Sequence, residues 1–227
     1  MSTLLSWIEA LRNLVRPDQL EKYVNLWGPP WVGYAILGAI IFSETGLLVG
    51  FFLPGDSLLF TAGLLASKDV FNIVILDIVL IAAAILGDAV NYYLGLQAGE
   101  HVFEKGRLRF VKHHHLMAAK AFYERHGGKA IVLARFVPLV RTFTPFVAGV
   151  ARMGYARFAI YNVAGGIGWI ISMTLAGYYL GQRQFIKDNF EVVVIGIVFI
   201  SLIPVAIGIL RHRAELRREI AIARSED

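Results

Sequence analysis

The stretch that decides the fold is ARFVPLVRTFTPFVAG, residues 134–149. It is apolar enough for a membrane, yet it holds two charges, Arg135 and Arg141, and two helix breakers, Pro138 and Pro145. A charge near the bilayer centre costs about 3 kcal/mol on insertion scales, and a proline inside a helix removes a backbone hydrogen bond. The stretch therefore predicts a broken element beside a buried polar site.

The composition is that of an integral membrane protein. Of the 227 residues, 57% are hydrophobic, and the mean hydropathy is +0.61. Residues 158–182 and 192–210 contain no Asp, Glu, Lys or Arg, and a helix needs roughly 20 apolar residues to cross the hydrocarbon core. Both are predicted transmembrane helices, and the predicted fold class is an all-α integral membrane protein. The sequence has no cysteine, which excludes a disulfide framework.

The distribution of Lys and Arg predicts the orientation. Basic residues gather in residues 100–129 and after residue 210, so both regions, including the C-terminus, are expected in the cytoplasm. The segment 130–151 then enters and leaves on the same side, which predicts a re-entrant hairpin that turns at Pro138 and Pro145. The backbone groups freed by such a turn must be buried in protein or line a wet cavity.

The first half of the chain repeats this pattern. The run FLPGDSLLFTAGLLA places Pro54 and Gly55 within apolar sequence. Region 70–99 is expected to cross from outside to the cytoplasm. Residues 50–66 are therefore predicted as a second re-entrant hairpin that enters from the opposite face, and residues 31–48 as the crossing before it.

An internal repeat links the two halves. At an offset of 86 positions, YYLG at 92–95 falls on YYLG at 178–181, and Gly63 falls on Gly149. Each copy would be one hairpin plus one crossing helix, with the second copy inverted, an arrangement found in many secondary transporters. Chance similarity in a chain rich in Leu, Ala and Gly is the alternative. Thr144 joins the two glycines among the expected turn and packing positions.

The rest of the chain divides simply. Residues 1–28 predict an amphipathic interfacial helix, because Glu9 and Arg12 interrupt the apolar positions of a signal peptide. Residues 29–210 form the membrane domain, and residues 211–227 form a basic tail. Glycine pairs at small-xxx-small spacing predict close helix packing, with homodimerisation as an alternative.

Six charges lie within apolar sequence: Glu44, Asp56, Asp77, Asp88, Arg135 and Arg141. Mutual pairing around a hydrated cavity would reduce their cost. In the repeat register Asp56 falls beside Arg141, so opposite charges meet if the hairpin tips meet. A fixed salt bridge is the alternative, but buried ion pairs stabilise less than apolar packing, which favours a functional site.

The acids of region 70–99 are assigned separately. Asp88 is expected to pair with one of the two arginines or to carry protons. Asn91 and Tyr92 are expected to support it, since Tyr92 lies one helical turn after Asp88. Asp77 is expected near the outer interface, either solvated or within the polar site.

Other chemistries have little support in the sequence. The consecutive residues 113–115 are histidines, whereas metal ligands on a helix prefer i, i+4 spacing, so a solvated run is expected and no metal. Ser57, Ser172 and Thr144 lack an embedded His partner, so no enzyme and no cofactor is expected. The net charge of +5 reflects cytoplasmic loops rather than nucleic-acid binding.

Arginine favours an anionic cargo. Its planar fork is always charged and suits phosphate. A phosphate-bearing lipid would bring that anion to Arg135 and Arg141 while its chains stay in the bilayer, and the carboxylates would take protons. The expected partners are therefore an anionic lipid, protons and the membrane.

The longest motifs resemble those of the bacterial DedA family, which is similar to the eukaryotic VTT scramblases. They are SETGLLVGFFLPGDSLLFTAGLLAS, GDAVNYYLG, FYERHGGKAIVLARFVPLVRTFTPFVAG and YNVAGGIGW, within residues 31–182. The resemblance implies an inner-membrane protein with two opposed re-entrant hairpins. By this resemblance, the essential acids of the family correspond to Glu44 and Asp56, and the essential arginines of the family correspond to Arg135 and Arg141.

The resemblance also implies lipid transport, including the return of undecaprenyl phosphate for envelope synthesis, with a link to proton-motive force. The leading hypothesis is therefore an undecaprenyl-phosphate flippase. A phospholipid scramblase or phosphatidylethanolamine flippase is the nearest alternative. A proton-coupled transporter of small cations and a non-transporting scaffold remain as further alternatives.

Overall fold

The computed structural model describes residues 21–22, 28–47, 55–105, 128–180, 182–183 and 196. Within these ranges the regular structure is helical. The six helices are α1 (Pro30–Gly46), α2 (Gly55–Ala66), α3 (Ile73–Lys105), α4 (Lys129–Ala134), α5 (Pro138–Val150) and α6 (Tyr155–Leu180). Two predicted helices, 1–28 and 192–210, lie outside the described residues except at positions 21–22, 28 and 196. Pro54, the histidine run 113–115 and the tail 211–227 lie wholly outside them.

Two of these helices are long and apolar enough to cross a membrane. They are Ile73–Gly99, with 27 residues, and Tyr155–Leu180, with 26. The crossings predicted for 70–99 and 158–182 are therefore both found as candidate spans. The helices α1 and α2 are apolar but shorter. Together they make a helical fold of the predicted class.

Local sequence explains where several helices begin and end. The side-chain Oδ1 of Asn72 accepts the backbone N–H groups of Val74 and Ile75, which caps the first turn of α3. After α2 and after α5 the chain turns through a residue with positive φ, Asp69 at 62° and Arg152 at 53°. A left-handed residue just past the last turn is a common helix stop.

The opening stretch is broken where its first proline predicts. Val137 is extended, with φ −119° and ψ 104°, and Pro138 begins α5. The residue before a proline is disfavoured in the α region, and proline fits the first position of a helix because it needs no N–H there. The structure therefore places a helix break between Arg135 and Pro138; whether the segment re-enters the membrane stays a prediction.

Pro145 differs from the expectation. The sequence predicts a turn at this proline, but α5 runs through it and continues to Val150. The proline still removes the N–H that would bond to the carbonyl of Arg141. Pro145 is buried within a continuous helix, and the only turn of this stretch lies before Pro138 among the residues described.

The buried core extends along α3 and α6. One cluster joins α1, α2, α3 and α6 through large apolar side chains, among them Leu37, Ile41, Leu59, Leu65, Leu80 and Trp169. A smaller cluster joins α3, α4, α5 and α6 through Tyr92, Ile131, Ala148 and Phe158. The long helices α3 and α6 therefore take part in both clusters, one of which includes α1 and α2 and the other α4 and α5.

The short helix α2 crosses the long helix α6 at backbone contact. A Cβ atom on Gly63 would overlap with the carbonyl oxygen of Thr174, and a Cβ atom on Gly177 would overlap with the carbonyl oxygen of Phe60. Because the obstacle is backbone, no side-chain rotation can make room. Glycine is required on both helices at this crossing.

The short helix α5 crosses α3 in the same way. A Cβ atom on Gly149 would overlap with the carbonyl oxygen of Tyr92, and one on Gly95 with that of Phe146. The two contact positions on α5 follow their counterparts on α2 by 86 residues, but those on α6 follow their counterparts on α3 by 82. The contact positions on α3 and α6 thus correspond at an offset of 82 residues. That offset differs by four residues, about one helical turn, from the offset of 86 that aligns the two YYLG sequences. Whether the halves are an inverted duplication stays a prediction.

Candidate functional site

Three helix ends bring together the Arg141 cluster, which consists of Arg141, Glu44 and Asp56. The Nη1 group of Arg141 donates to Oδ1 of Asp56 at 2.5 Å, and its Nη2 group donates to Oε1 of Glu44. Each prong of one guanidinium fork is therefore held by a different carboxylate. The predicted meeting of Asp56 with Arg141 is found in the structure.

Two of the three helix ends in this cluster are N-termini, which favour negative charge, whereas Glu44 lies at the C-terminal end of α1. Asp56 lies in the first turn of α2, and Arg141 is the fourth residue of α5. The N-terminus of a helix carries about half a positive charge. Two positive helix ends and one arginine therefore converge where the two acids sit.

Trp169 of α6 completes the cluster. Its indole Nε1 donates to Oδ1 of Asp56 at 2.8 Å. The guanidinium carbon of Arg141 lies 4.5 Å from the centroid of the indole ring, within the range of a cation–π contact. One side chain thus touches both members of the Asp56–Arg141 pair.

The second arginine belongs to a separate group, the Arg135 cluster of Arg135, Asp88 and Asn162. The Nη2 group of Arg135 donates both to Oδ2 of Asp88 and to Oδ1 of Asn162. The amide of Asn162 in turn donates to the carbonyl of Ile85 at 3.1 Å. Asp88 is therefore the partner of Arg135 among the two alternatives that the sequence left open.

Asn91 connects the helices around the two clusters. Its Nδ2 group donates to the carbonyl of Thr45 at 3.0 Å and to the carbonyl of Thr142 at 2.7 Å. Those residues directly follow Glu44 and Arg141 in the sequence. Since Asn91 is one turn after Asp88 on α3, one face of α3 contacts the Arg135 cluster and the backbone next to the Arg141 cluster. These bonds do not reach Asp88, and the supporting role of Asn91 stays a prediction.

The charges of the two clusters are buried and unequal. Glu44 is 0% exposed, Asp88 and Arg135 are 3% exposed, and Arg141 is 7% exposed. Three carboxylates surround two guanidinium groups. The Nε atoms of Arg135 and Arg141 are buried without a hydrogen-bond partner in the described part of the chain. An unpaired buried donor is costly, so both arginines retain capacity for a further acceptor.

The other predicted site residues lie around the clusters. Gly63 and Gly149 form the helix crossings described above, and the hydroxyl of Thr144 donates to the carbonyl of Val140 at 2.8 Å. Gly55 begins α2 against the carboxylate of Glu44, where a Cβ atom would overlap with it. Each of these positions shapes the backbone rather than adding charge.

Two acids of region 70–99 differ in their surroundings. Asp88 does not contact the phenol of Tyr92 as expected, because that hydroxyl donates to the carbonyl of Met153. Asp77 is only half-buried and lies beside Thr174 rather than in either cluster. Of the two, only Asp88 belongs to the candidate site.

Sequence reasoning did not assign Trp169, Asn162 or Thr45 to the site. Asn162 had a usable feature, because it is an amide within an otherwise apolar predicted span. Trp169 had none, since an indole in a membrane helix is ordinary apolar sequence. Its partner Asp56 is 113 positions away in the chain.

Comparison with known proteins defines the class. The VTT domain profile matches residues 53–179. Protein DedA of Escherichia coli strain K12 is 47% identical over 190 residues, covering 83% of this chain and 86% of that protein. The uncharacterized membrane protein ML0287 of Mycobacterium leprae is 45% identical over 169 residues, covering 74% and 76%. No solved structure matches the chain significantly.

A more distant relative is the inner membrane protein YqjA of E. coli strain K12, 33% identical over 183 residues, with 79% of this chain and 83% of that protein covered. The chain is thus a helical membrane protein with a VTT domain. Within that class it belongs to the DedA family. The names of these relatives support a bacterial inner-membrane location.

Proposed function

We propose that the chain is a lipid translocase that returns undecaprenyl phosphate across the bacterial inner membrane, coupled to proton-motive force. The observation that carries the proposal is the occupied fork of Arg141, with Asp56 on one prong and Glu44 on the other. Family membership supports a location in the membrane, and the guanidinium of Arg141 with its two carboxylates supports the binding of an anion.

The two carboxylates occupy the places of two phosphate oxygens. A phosphate group can accept both prongs of one guanidinium in parallel. It would replace the two separate acids and leave them free to take protons. The two carboxylates of the empty state and the phosphate of the loaded state therefore compete for the guanidinium of Arg141.

Once Glu44 and Asp56 are protonated, the surroundings of Arg141 favour an anion over a cation. Two helix N-termini meet there, and Arg141 keeps an unpaired buried Nε donor. Half-helix N-termini serve as anion sites in other secondary transporters. A cation would meet acids that Arg141 already occupies.

The charge count supports coupling to protons. Two buried carboxylates, Glu44 and Asp88, and the partly buried Asp56 already outnumber two guanidinium groups. A phosphate monoester entering the site would add further negative charge in a medium where unpaired charge is costly. Protonation of Glu44 and Asp56 offsets this charge, so phosphate and protons move through the cycle together. This cycle moves protons on and off the carboxylates but makes and breaks no bond within the lipid, and we propose no enzymatic activity.

The test uses cells depleted of their other undecaprenyl-phosphate carriers and a surface probe for that lipid. Expression of the chain should lower the lipid exposed on the outer leaflet, and the Arg141→Ala variant should not. Asp69→Asn serves as the control, because Asp69 is exposed and Asn tolerates its positive φ. Unchanged surface exposure with the unmodified chain would refute the proposal.

Liposome assays separate the alternatives. Equal flipping of many fluorescent phospholipids without a gradient would instead indicate a phospholipid scramblase. Proton flux that survives loss of Arg135 and Arg141 would indicate a cation transporter, because that activity needs only the acids.

A further inference from the structure

Trp169 holds the Asp56–Arg141 pair from two sides. The side chain is fully buried on α6, where the indole N–H donates to Asp56 and the ring lies against the guanidinium of Arg141. The indole nitrogen is a donor only. If Asp56 moves away, that donor is left in a buried site beside a positive charge.

Oδ1 of Asp56 lies where two donors converge, so the same place could hold an oxygen of another anion. That oxygen accepts from Nη1 of Arg141 at 2.5 Å and from Nε1 of Trp169 at 2.8 Å. Asp56 is also the more open of the two acids, with a side chain 12% exposed compared with 0% for Glu44. An incoming anion would therefore displace Asp56 first and meet both donors.

We propose that Trp169 is a phosphate-binding residue, whose indole N–H passes from Asp56 to an oxygen of the lipid phosphate while its ring keeps Arg141 in place. This inference rests on the proposed function, since it assigns a further contact to the same headgroup. The site then offers a phosphate three donors from two side chains, all without acceptor capacity.

The first test follows the fluorescence of Trp169 itself. A chain with Trp7, Trp27 and Trp31 replaced by Phe is reconstituted in phosphatidylcholine nanodiscs, which leaves Trp169 as the sole indole. Farnesyl phosphate should change its emission saturably, and farnesol should not. Inorganic phosphate is the third arm: a response to it as well supports headgroup recognition without a need for the lipid chain. Bound farnesyl phosphate with unchanged emission overturns the inference.

The second test separates the N–H from the ring. Trp169→Phe keeps an aromatic face for Arg141 but removes the donor from Asp56 in the empty state and from the phosphate in the loaded state. Because a phosphate monoester carries more negative charge than the carboxylate it displaces, farnesyl phosphate binding should weaken, by up to about tenfold. Trp169→Leu removes both contacts and should weaken binding further. Trp31→Phe is the matched control, because Trp31 is 67% exposed. A folded Trp169→Phe variant with unchanged affinity overturns the inference.

The two proposals fail differently. If the unmodified chain does not bind farnesyl phosphate at all, both the proposed function and the role of Trp169 fall. If it binds, and neither the emission of Trp169 nor the affinity of Trp169→Phe changes, only the role of Trp169 falls.

Discussion

Single residues in this protein carry charge where apolar packing would be more stable. Replacing a buried ion pair by apolar residues of similar volume is often neutral or stabilising. The chain nevertheless holds Arg141 and Arg135 in buried clusters with three acids. Under the proposed function, the benefit of these charges is that the acids can exchange for another anion.

The fork of Arg141 gives the first prediction. Arg141→Lys keeps the positive charge but presents a point charge in place of two parallel donors. It cannot hold Glu44 and Asp56 in the same geometry, so transport should fall at least tenfold in the surface-probe assay. Arg157→Lys, at an exposed position on α6, is the control. Near-normal transport by Arg141→Lys would show that charge alone suffices.

The Arg135 cluster gives a prediction about stability. Asp88→Asn leaves a buried guanidinium without its counter-charge, which typically costs 3–5 kcal/mol. Asp88→Asn combined with Arg135→Gln should lose less than the sum of the two single changes, because the pair is removed together. Thermal unfolding in detergent measures both. Strict additivity would show that the two side chains are not coupled in the folded protein.

The sequence predicted which side chains form the site better than how they pair. Charges in apolar sequence are costly, so Glu44, Asp56, Asp88 and the two arginines could be expected to find partners. Which acid meets which arginine depends on how helices from distant parts of the chain pack, since Asp88 of α3 meets Arg135 after α4, and acids of α1 and α2 meet Arg141 of α5. The indole of Trp169 depends on a contact between α2 and α6 that no local pattern records.

The short helices α2 and α5 each cross a long helix at glycine residues. The crossing of α2 with α6 and the crossing of α5 with α3 each place a glycine against a backbone carbonyl. Small residues let membrane helices approach closely where the hydrophobic effect gives little drive. These crossings fix where the first turns of α2 and α5, with Asp56 and Arg141, are positioned.

A methyl group at a crossing should separate the helices. Gly63→Ala places Cβ against the carbonyl oxygen of Thr174 and should destabilise the fold by about 1–3 kcal/mol, with reduced transport. Gly168→Ala is the control, because nothing lies within 4 Å of a Cβ atom there. Unfolding temperatures of the two variants give the comparison. Equal stability would mean that the crossing can relax.

At this scale the sequence indicated the contact positions but not the full register. Gly63 and Gly149 occupy the same place in their crossings, as the repeat predicts. The repeated YYLG nevertheless does not set the alignment of α3 with α6, because identical letters on two helices can face different neighbours. The proline rule correctly placed the break before Pro138, whereas Pro145 is accommodated within a helix.

The whole molecule is a set of short helices supported by two long ones. The candidate span α6 contacts both clusters through Asn162 and Trp169, and α3 contacts the Arg135 cluster through Asp88 and the backbone beside Arg141 through Asn91. A relative shift of these two helices would therefore change both clusters together. This arrangement suits a transporter in which one headgroup site opens alternately.

The predicted topology is testable because the chain contains no cysteine. Lys68 is expected outside the cell and Gly154 in the cytoplasm, and both positions are exposed. A membrane-impermeant maleimide should label Lys68→Cys in intact cells and Gly154→Cys only after permeabilisation. Labelling of both from the same side would contradict the predicted course of the helices between them.

Each of the short helices α2 and α5 packs on the long helix from the other half of the sequence, and this has a consequence for synthesis. The short helix α2 packs on α6, and α5 packs on α3. When only the first hundred residues have been synthesised, Glu44, Asp56 and Asp88 are already in the nascent protein, but Arg135 and Arg141 are still untranslated. The three acids therefore lack their counter-charges until the later segment is made and inserted.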